Sequence, residues 1–200
     1  GSGAALSLTE DDAAAMAAEC PSVAAAAPTV RSGAQVIFGN TNWATSIYGI
    51  TPSYLDVRDL SVDQGQSISD QDVQASARVA LLGVTVVKNL FGDTNPIGQI
   101  FRIRNVPFIV AGILTPKGQS PSGQDQDDVV LIPISTAKSR VLGSSQAGAQ
   151  SVGSILVQAR GPSQMNSAIE EISSLLRQRH HLQPGADDDF SVRNLTEIFA

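Results

Sequence analysis

Residues 155–159 (ILVQA) and 163–179 (SQMNSAIEEISSLLRQR) decide how the two ends of this chain fold. The first run is short and apolar, which is typical of a strand. In the second, Met165, Ile169, Ile172 and Leu176 recur at helical spacing and charged residues fall between them, which predicts an amphipathic helix. We expect Ser163 to cap this helix. With a further strand predicted at residues 189–195, the C-terminal part forms a βαβ-type unit.

The N-terminal part carries matching signals. Thr9 precedes three acidic residues and an alanine-rich run, which predicts a capped helix that ends at Pro21. Residues 23–38 are predicted to be extended, with interruptions near Pro28 and Gly33, and a turn at 39–42 leads to a second strand over 43–50. We therefore expect one α/β lobe assembled from both chain ends, residues 1–69 and 144–200, with residues 143–153 as a linker.

The middle of the chain, residues 70–143, predicts a β-rich lobe inserted into the first. Strands are expected at 79–82, 107–114, 129–134 and 99–104, and in the last of these Phe101 and Ile103 alternate with Arg102 and Arg104. Short helices are expected at 85–91 and, capped by Ser135, as far as about Leu142. Asn105 should form a tight turn, and residues 118–128, rich in Gly, Ser, Gln and Asp, should form a loop. The predicted fold class is α+β.

Composition excludes several functions. The net charge is −6 and Lys and Arg form no run, so neutralisation of nucleic-acid phosphates is not expected. No segment reaches the roughly 20 apolar residues that cross a bilayer. The single cysteine, Cys20, is predicted to be a small buried apolar side chain.

The sequence lacks the motifs that place residues for catalysis, cofactor binding or metal binding in other proteins. There is no phosphate-binding loop, dinucleotide fingerprint or serine nucleophile elbow. His180 and His181 are expected to be a solvated helix end, and the acids at 187–189 a solvated turn. Asp125, Asp127 and Asp128 are interpreted as a solvated loop, with contact to a basic partner as an alternative. We predict no catalytic residue, cofactor or metal, and hence no enzyme.

Several runs, in their order and spacing, resemble one known family. They are residues 49–58 (GITPSYLDVR), 78–83 (RVALLG), 89–92 (NLFG), 95–99 (NPIGQ), 106–114 (VPFIVAGIL), 127–133 (DDVVLIP) and 189–195 (DFSVRNL). The chain is similar over nearly its whole length to the periplasmic core domain of MacB-type ABC transporter permeases.

The resemblance implies a domain in the periplasm, between the first and second membrane helices of an inner-membrane permease. It implies a porter-like lobe and an inserted Sabre-like lobe, a homodimer in the full transporter, and a separate ATP-binding domain. It also implies an adaptor protein and, through it, an outer-membrane channel, with ATP-driven conformational change coupled to export. Lys117, Gln124, Asp125 and Asp127 are the candidate partner contacts.

Other functions stay open at this stage. A permease of the same superfamily that releases lipoproteins or acts in signalling would carry a similar domain. A module that holds cargo between two lobes is a further alternative, which would need apolar residues facing a cleft.

Overall fold

The computed structural model describes residues 8–142 and 152–192. Its contacts divide the chain into two compact units. The terminal unit comprises Gly1–Pro28 and Ala147–Ala200, and the barrel unit comprises Thr29–Gln146. In chain order, the elements are α1 (Glu10–Glu19), β1 (Val23–Phe38), β2 (Thr41–Ile50), α2 (Pro52–Val57), β3 (Val62–Gly65), α3 (Asp70–Gln74), β4 (Val79–Leu82), α4 (Val84–Phe91), β5 (Ile100–Ile103), β6 (Val106–Leu114), β7 (Val129–Pro133), α5 (Ile134–Thr136, continued by a π-helical turn over Ala137–Val141), β8 (Ser154–Ala159) and α6 (Met165–Arg179).

The start of the terminal unit follows the predicted capping pattern. Thr9 Oγ1 accepts the Asp12 N–H at 3.0 Å, and the Asp12 carboxylate accepts the Thr9 N–H at 3.1 Å. This reciprocal capping box satisfies two amides that a helix start otherwise leaves unpaired. The predicted Thr9 cap is confirmed.

The core of the terminal unit lies between α1, α6 and the strands β1 and β8, which pair with each other. Its buried side chains are mostly small or aliphatic: Ala13, Ala15, Met16, Cys20, Val23, Ala26, Ala168, Ile172, Leu175 and Leu176. Glu171 of α6 also reaches back to the chain before β1, where it accepts the Ser22 N–H at 2.8 Å and the Ser22 hydroxyl at 2.7 Å. The predicted burial of Cys20 is confirmed.

The barrel unit is built on a closed ring of strands. The order β2-β7-β4-β6-β5-β1 is completed by the antiparallel pairing of β1 with β2, which runs from Val30↔Gly49 to Phe38↔Thr41. Closure leaves these strands without an open edge, which removes a route to aggregation. Beside the ring, β3 pairs with β6. The α+β class, with one unit made from both chain ends and a β-rich unit inserted, is confirmed.

Large side chains fill the barrel interior. The alternation predicted for β5 is observed, because Phe101 and Ile103 are buried whereas Arg102 is exposed. The Phe101 ring lies 6.1 Å from that of Phe108 and 6.4 Å from that of Phe91, measured between centroids. Such offset aromatic contacts add to the stabilisation from burial itself.

Several local predictions differ from the structure. Residue 29, not 70, begins the barrel unit, because residues 30–50 pair within the ring. The strand β1 runs unbroken through Pro28 and Gly33, since its pairing outweighs the local propensities. Residues 61–76, a polar stretch for which no strand or helix is predicted, contain β3 and α3.

Two predicted helix caps are also wrong. Ser163 lies within a 3₁₀ turn, Pro162–Gln164, and α6 begins at Met165 without a side-chain cap. The Ser135 hydroxyl donates instead to the Val73 carbonyl at 2.5 Å. Residues 189–192 of the predicted last strand are irregular, and the remainder of that strand and most of the linker lie outside the described residues.

Candidate partner-binding loop

The loop between β6 and β7, residues 115–128, is fastened by a buried carboxylate near its end. Asp127 is 8% exposed, and its two carboxylate oxygens accept the N–H groups of Lys117 and Gly118 at 2.7 and 3.0 Å. Gly118 has φ +76°, a conformation that glycine adopts without steric cost. One carboxylate therefore ties the first residues of the loop to the last.

The same loop rests on the first turn of α4. The Thr85 N–H donates to the Asp127 carbonyl at 3.2 Å, and the Thr85 hydroxyl donates to Asp125 Oδ2 at 2.6 Å. Gly83 permits this approach, because a Cβ at that position would lie 2.0 Å from the Asp127 carbonyl oxygen. The helix and the loop are thus packed backbone against backbone.

The tip of the loop forms a small hairpin of its own. The Gly123 N–H donates to the Ser120 carbonyl at 2.8 Å, and the Ser120 N–H donates to the Gln124 carbonyl at 2.8 Å. A β-bridge joins Gln119 to Asp125. These bonds join the two sides of the loop tip, and such pre-organisation lowers the ordering cost of binding a partner.

The four predicted contact residues come together on this loop but do not have the same exposure. Lys117, Gln124 and Asp125 are exposed, whereas Asp127 is turned inward. The Lys117 ammonium lies 4.0 Å from an Asp59 carboxylate oxygen. The Asp125 carboxylate accepts the Thr85 hydroxyl and the Asp127 N–H but stays exposed. Asp127 cannot offer its carboxylate to a partner in this arrangement, because it is buried and both of its oxygens accept backbone amides.

The third acid of the loop, Asp128, is directed towards the barrel. Its Oδ1 accepts hydrogen bonds from Trp43 Nε1 at 2.9 Å and from the Thr45 hydroxyl at 2.8 Å. The interpretation of all three acids as a solvated loop is therefore wrong for Asp127 and Asp128. The sequence carries no local signal for these bonds, since Trp43 and Asp128 are 85 positions apart.

A second polar cluster lies in the terminal unit and was not predicted. His180, expected as part of a solvated helix end, has a side chain only 11% exposed between two carboxylates. Its Nε2 lies 2.9 Å from Asp12 Oδ2, and its Nδ1 lies 2.8 Å from Asp189 Oδ1. Arg179 Nε donates to the other Asp12 oxygen at 2.8 Å. We call these four residues the His180 cluster.

The surroundings shift the ionisation of the cluster. Burial by itself raises the pKa of Asp12, but hydrogen bonds from Arg179 and His180 outweigh it, so the pKa lies below its usual value. Burial by itself lowers the pKa of His180, but hydrogen bonds with Asp189 and Asp12 outweigh it, so the pKa lies above its usual value. Both shifts favour the charged forms.

The acids at 187–189 also depart from a simple solvated turn. Asp188 forms an ion pair with Arg177 at 2.5 Å, and Asp189 contacts His180. Within residues 8–142 and 152–192, no group of three or more His, Cys, Asp or Glu side chains is arranged to hold a metal ion. In the same residues, no helix combines the length and the apolar character needed to cross a membrane.

The fold and the loop define a class of domain in which a small β-barrel is inserted into an α/β unit and presents a preformed loop. The family model of the MacB-like periplasmic core domain matches residues 1–175. The chain belongs to this family, and the predicted resemblance is confirmed.

Relatives and solved structures agree with that assignment. The chain is 36% identical over 247 residues to the macrolide export ATP-binding/permease protein MacB of Syntrophobacter fumaroxidans, covering 99% of this chain and 34% of the relative. It is 40% identical over 198 residues to the protein of the same name from Rhodospirillum rubrum, and the match covers 98% of this chain and 29% of that relative. The chain thus spans about a third of the length of these curated relatives.

Two crystal structures share the fold. The periplasmic region of MacB from Actinobacillus actinomycetemcomitans has a TM-score of 0.78 and 25% identity, covering 96% of this chain and 81% of that one. The extracellular domain of the noncanonic ABC-type transporter YknZ from Gram-positive bacteria has a TM-score of 0.75 and 21% identity. This match covers 94% of this chain and 89% of the YknZ domain. At that identity, the second likeness concerns the fold alone.

Proposed function

We propose that this chain is the extracytoplasmic domain of an inner-membrane permease of the MacB-like ABC transporters and couples ATP-driven conformational change to export. The observation that carries the proposal is the family match over residues 1–175. The relatives are named as macrolide export ATP-binding/permease proteins, and the chain covers about a third of them. ATP binding and membrane spanning would then be the work of other parts of the transporter.

The coupling we propose is mechanical rather than catalytic. Movement of the membrane helices would displace paired copies of this domain, and an adaptor protein would pass that movement towards an outer-membrane channel. Coupling of this kind requires two states that differ in their partner contacts. The backbone of the loop is held by Asp127 and Thr85. A loop fixed in this way suits the role, because it would pass the movement of the domain to the adaptor without deforming itself.

The partner surface we propose is the exposed side of the loop, formed by Lys117, Gln124 and Asp125. Asp127 positions this surface and does not contact the partner. The chain has a net charge of −6, and Asp125 adds negative charge at the loop. A basic face on the adaptor would match it, and such complementarity acts mainly on the rate of association.

Calorimetric titration of this chain with the adaptor encoded beside the transporter tests the proposal. Gln124 makes its hydrogen bonds here through its backbone, to Ser120, so Gln124→Lys adds positive charge while these bonds remain. We expect this variant to weaken binding about fivefold and Lys117→Glu to strengthen it. The control is Asp93→Lys, an exposed acid just beyond the other end of α4 from Thr85.

The outcomes separate the alternatives. Saturable binding that responds to Gln124→Lys and not to Asp93→Lys supports an adaptor contact at this loop. Equal weakening by both variants would mean a general charge effect and would remove the loop from the proposal. Binding to a periplasmic lipoprotein chaperone instead of the adaptor would support lipoprotein release.

A further inference from the structure

The two ring nitrogens of His180 face carboxylates from two different parts of the chain. Nε2 lies 2.9 Å from an oxygen of Asp12 in α1, and Nδ1 lies 2.8 and 3.0 Å from the two oxygens of Asp189, which follows α6. A neutral imidazole donates from one nitrogen only, and the other nitrogen accepts. Because a carboxylate has no proton to give, both contacts are hydrogen bonds only when the ring carries both protons.

We propose that His180 is a proton-operated clamp: the doubly protonated ring ties Asp189 to α1, and loss of one ring proton to water breaks this tie. This inference stands apart from the transport function proposed above. It concerns how the terminal unit holds the chain that follows α6.

The contact to Asp189 is the one that yields when the proton leaves. The Asp12 side chain is only 3% exposed and also accepts from Arg179 and from the Thr9 N–H, so it is fixed in place. The Asp189 side chain is 28% exposed, so water can replace the imidazole as its donor. A lone pair on Nδ1 facing that carboxylate would repel it.

Residues before Asp189 have a separate tether that does not depend on histidine. Arg177 donates to the carbonyls of Gln183 and Ala186 at 2.8 and 2.9 Å and pairs with Asp188. The guanidinium stays charged at any ordinary pH. His180 therefore acts on Asp189 and not on the residues before it. Phe190 and Val192, which follow Asp189, keep their own apolar contacts with the core of the terminal unit.

Other charged groups around the cluster set its electrostatic surroundings. They lie on α1, on α6 and among the residues that follow it: Glu10, Asp11, Glu19, Arg177, His181, Asp187 and Asp188.

The direction of the pH response follows from the two ionisations. Since the pKa of folded His180 is raised, its stabilising effect is complete below the ordinary histidine value of about 6.5 and is lost as pH rises through the folded value. Since the pKa of Asp12 is lowered, its effect is present above about 3.9 and is lost as pH falls through the folded value. The clamp is therefore closed between these limits and opens on the alkaline side.

Nuclear magnetic resonance on the isotopically labelled 200-residue chain tests the clamp directly. Below about pH 6.5, we expect both His180 ring nitrogens to be protonated. The His180 and Phe190 rings, 6.2 Å apart between centroids, should then show cross-peaks. As the ring loses a proton, the population that keeps the His180–Asp189 contact should fall about fivefold, with weaker cross-peaks and faster backbone motion at Asp189.

Two variants keep the test decisive. Asp189→Ala removes the carboxylate but leaves the buried contact of His180 with Asp12, and we expect the backbone motion at position 189 not to depend on pH in this variant. His181→Gln changes the neighbouring exposed histidine and should leave the pH response as in the wild type. A His180 ring that carries one proton near pH 6, or an Asp189 that stays fixed to His180 after the ring has lost its proton, would overturn the proposal.

Discussion

Replacing Asp127 with asparagine tests whether one carboxylate holds the β6–β7 loop. The substitution is nearly isosteric, but it replaces one of two accepting oxygens with an NH₂ group. That group would face one of the N–H donors of Lys117 and Gly118, which now lie 2.7 and 3.0 Å from the carboxylate.

The expected cost follows from these two bonds. A hydrogen bond to a charged acceptor contributes about 1.5–3 kcal/mol, and a buried donor left unpaired costs about 1–3 kcal/mol. In the variant, one of the two N–H groups keeps a weaker hydrogen bond to the amide oxygen and the other N–H group loses its acceptor. Because residue 127 is only 8% exposed, water cannot easily take the place of that acceptor. We expect the free energy of unfolding to fall by about 2–3 kcal/mol.

Urea unfolding followed by fluorescence measures this loss. Trp43 is the single tryptophan and donates to Asp128, the last residue of the loop, so it reports on the barrel next to the changed site. A fall of 2–3 kcal/mol corresponds to a midpoint lowered by about 1 M. The matched control is Asp63→Asn, the same change at an exposed position of β3. If the two variants unfold at the same urea concentration, Asp127 does not hold the loop and the reasoning fails.

Three further outcomes are expected. Phe101→Ala should lower the free energy of unfolding in urea by about 3–5 kcal/mol, because Phe101 is only 1% exposed. Ile100→Ala, at a neighbouring position that is 58% exposed, should lower it by less than about 1 kcal/mol. Similar losses in the two variants would contradict the assignment of Phe101 to the barrel interior. Gly83→Ala should destabilise by at least about 2 kcal/mol, since its methyl group meets the Asp127 carbonyl oxygen; an unchanged unfolding midpoint would show that the loop does not pack there. Burial raises the pKa of the Cys20 thiol, so its reaction with a disulfide reagent in the native chain should be much slower than in urea; equal rates would place Cys20 at the surface.

For the candidate site, sequence patterns located the loop but not the roles of its acids. Lys117, Gln124 and Asp125 lie on the exposed side, as an exposed contact surface requires. All three acids of the loop have the same local setting in the sequence and all accept hydrogen bonds, yet only Asp125 stays exposed. Asp127 is buried against backbone amides, and Asp128 binds side chains of β2. The number and sign of the charges were visible in the sequence, but the direction of each side chain was not.

Several elements could be predicted because their signals are local. The capping pattern at Thr9, the alternation in β5, the helical spacing in α6 and the turn at Asn105 all depend on residues a few positions apart. The family resemblance was also available, because its runs are read in order along the chain.

Contacts between residues far apart in the chain could not be predicted and are known only from the fold. Barrel closure depends on β1 pairing with β5, where Val36 lies opposite Ile103, and this pairing places residues 29–69 in the barrel unit. The His180 cluster brings together Asp12 and His180, which are 168 positions apart. The burial of a side chain, the pairing of a strand and the protonation of a titratable group all depend on the residues nearby in space. A local sequence pattern does not identify those residues when they lie far away in the chain.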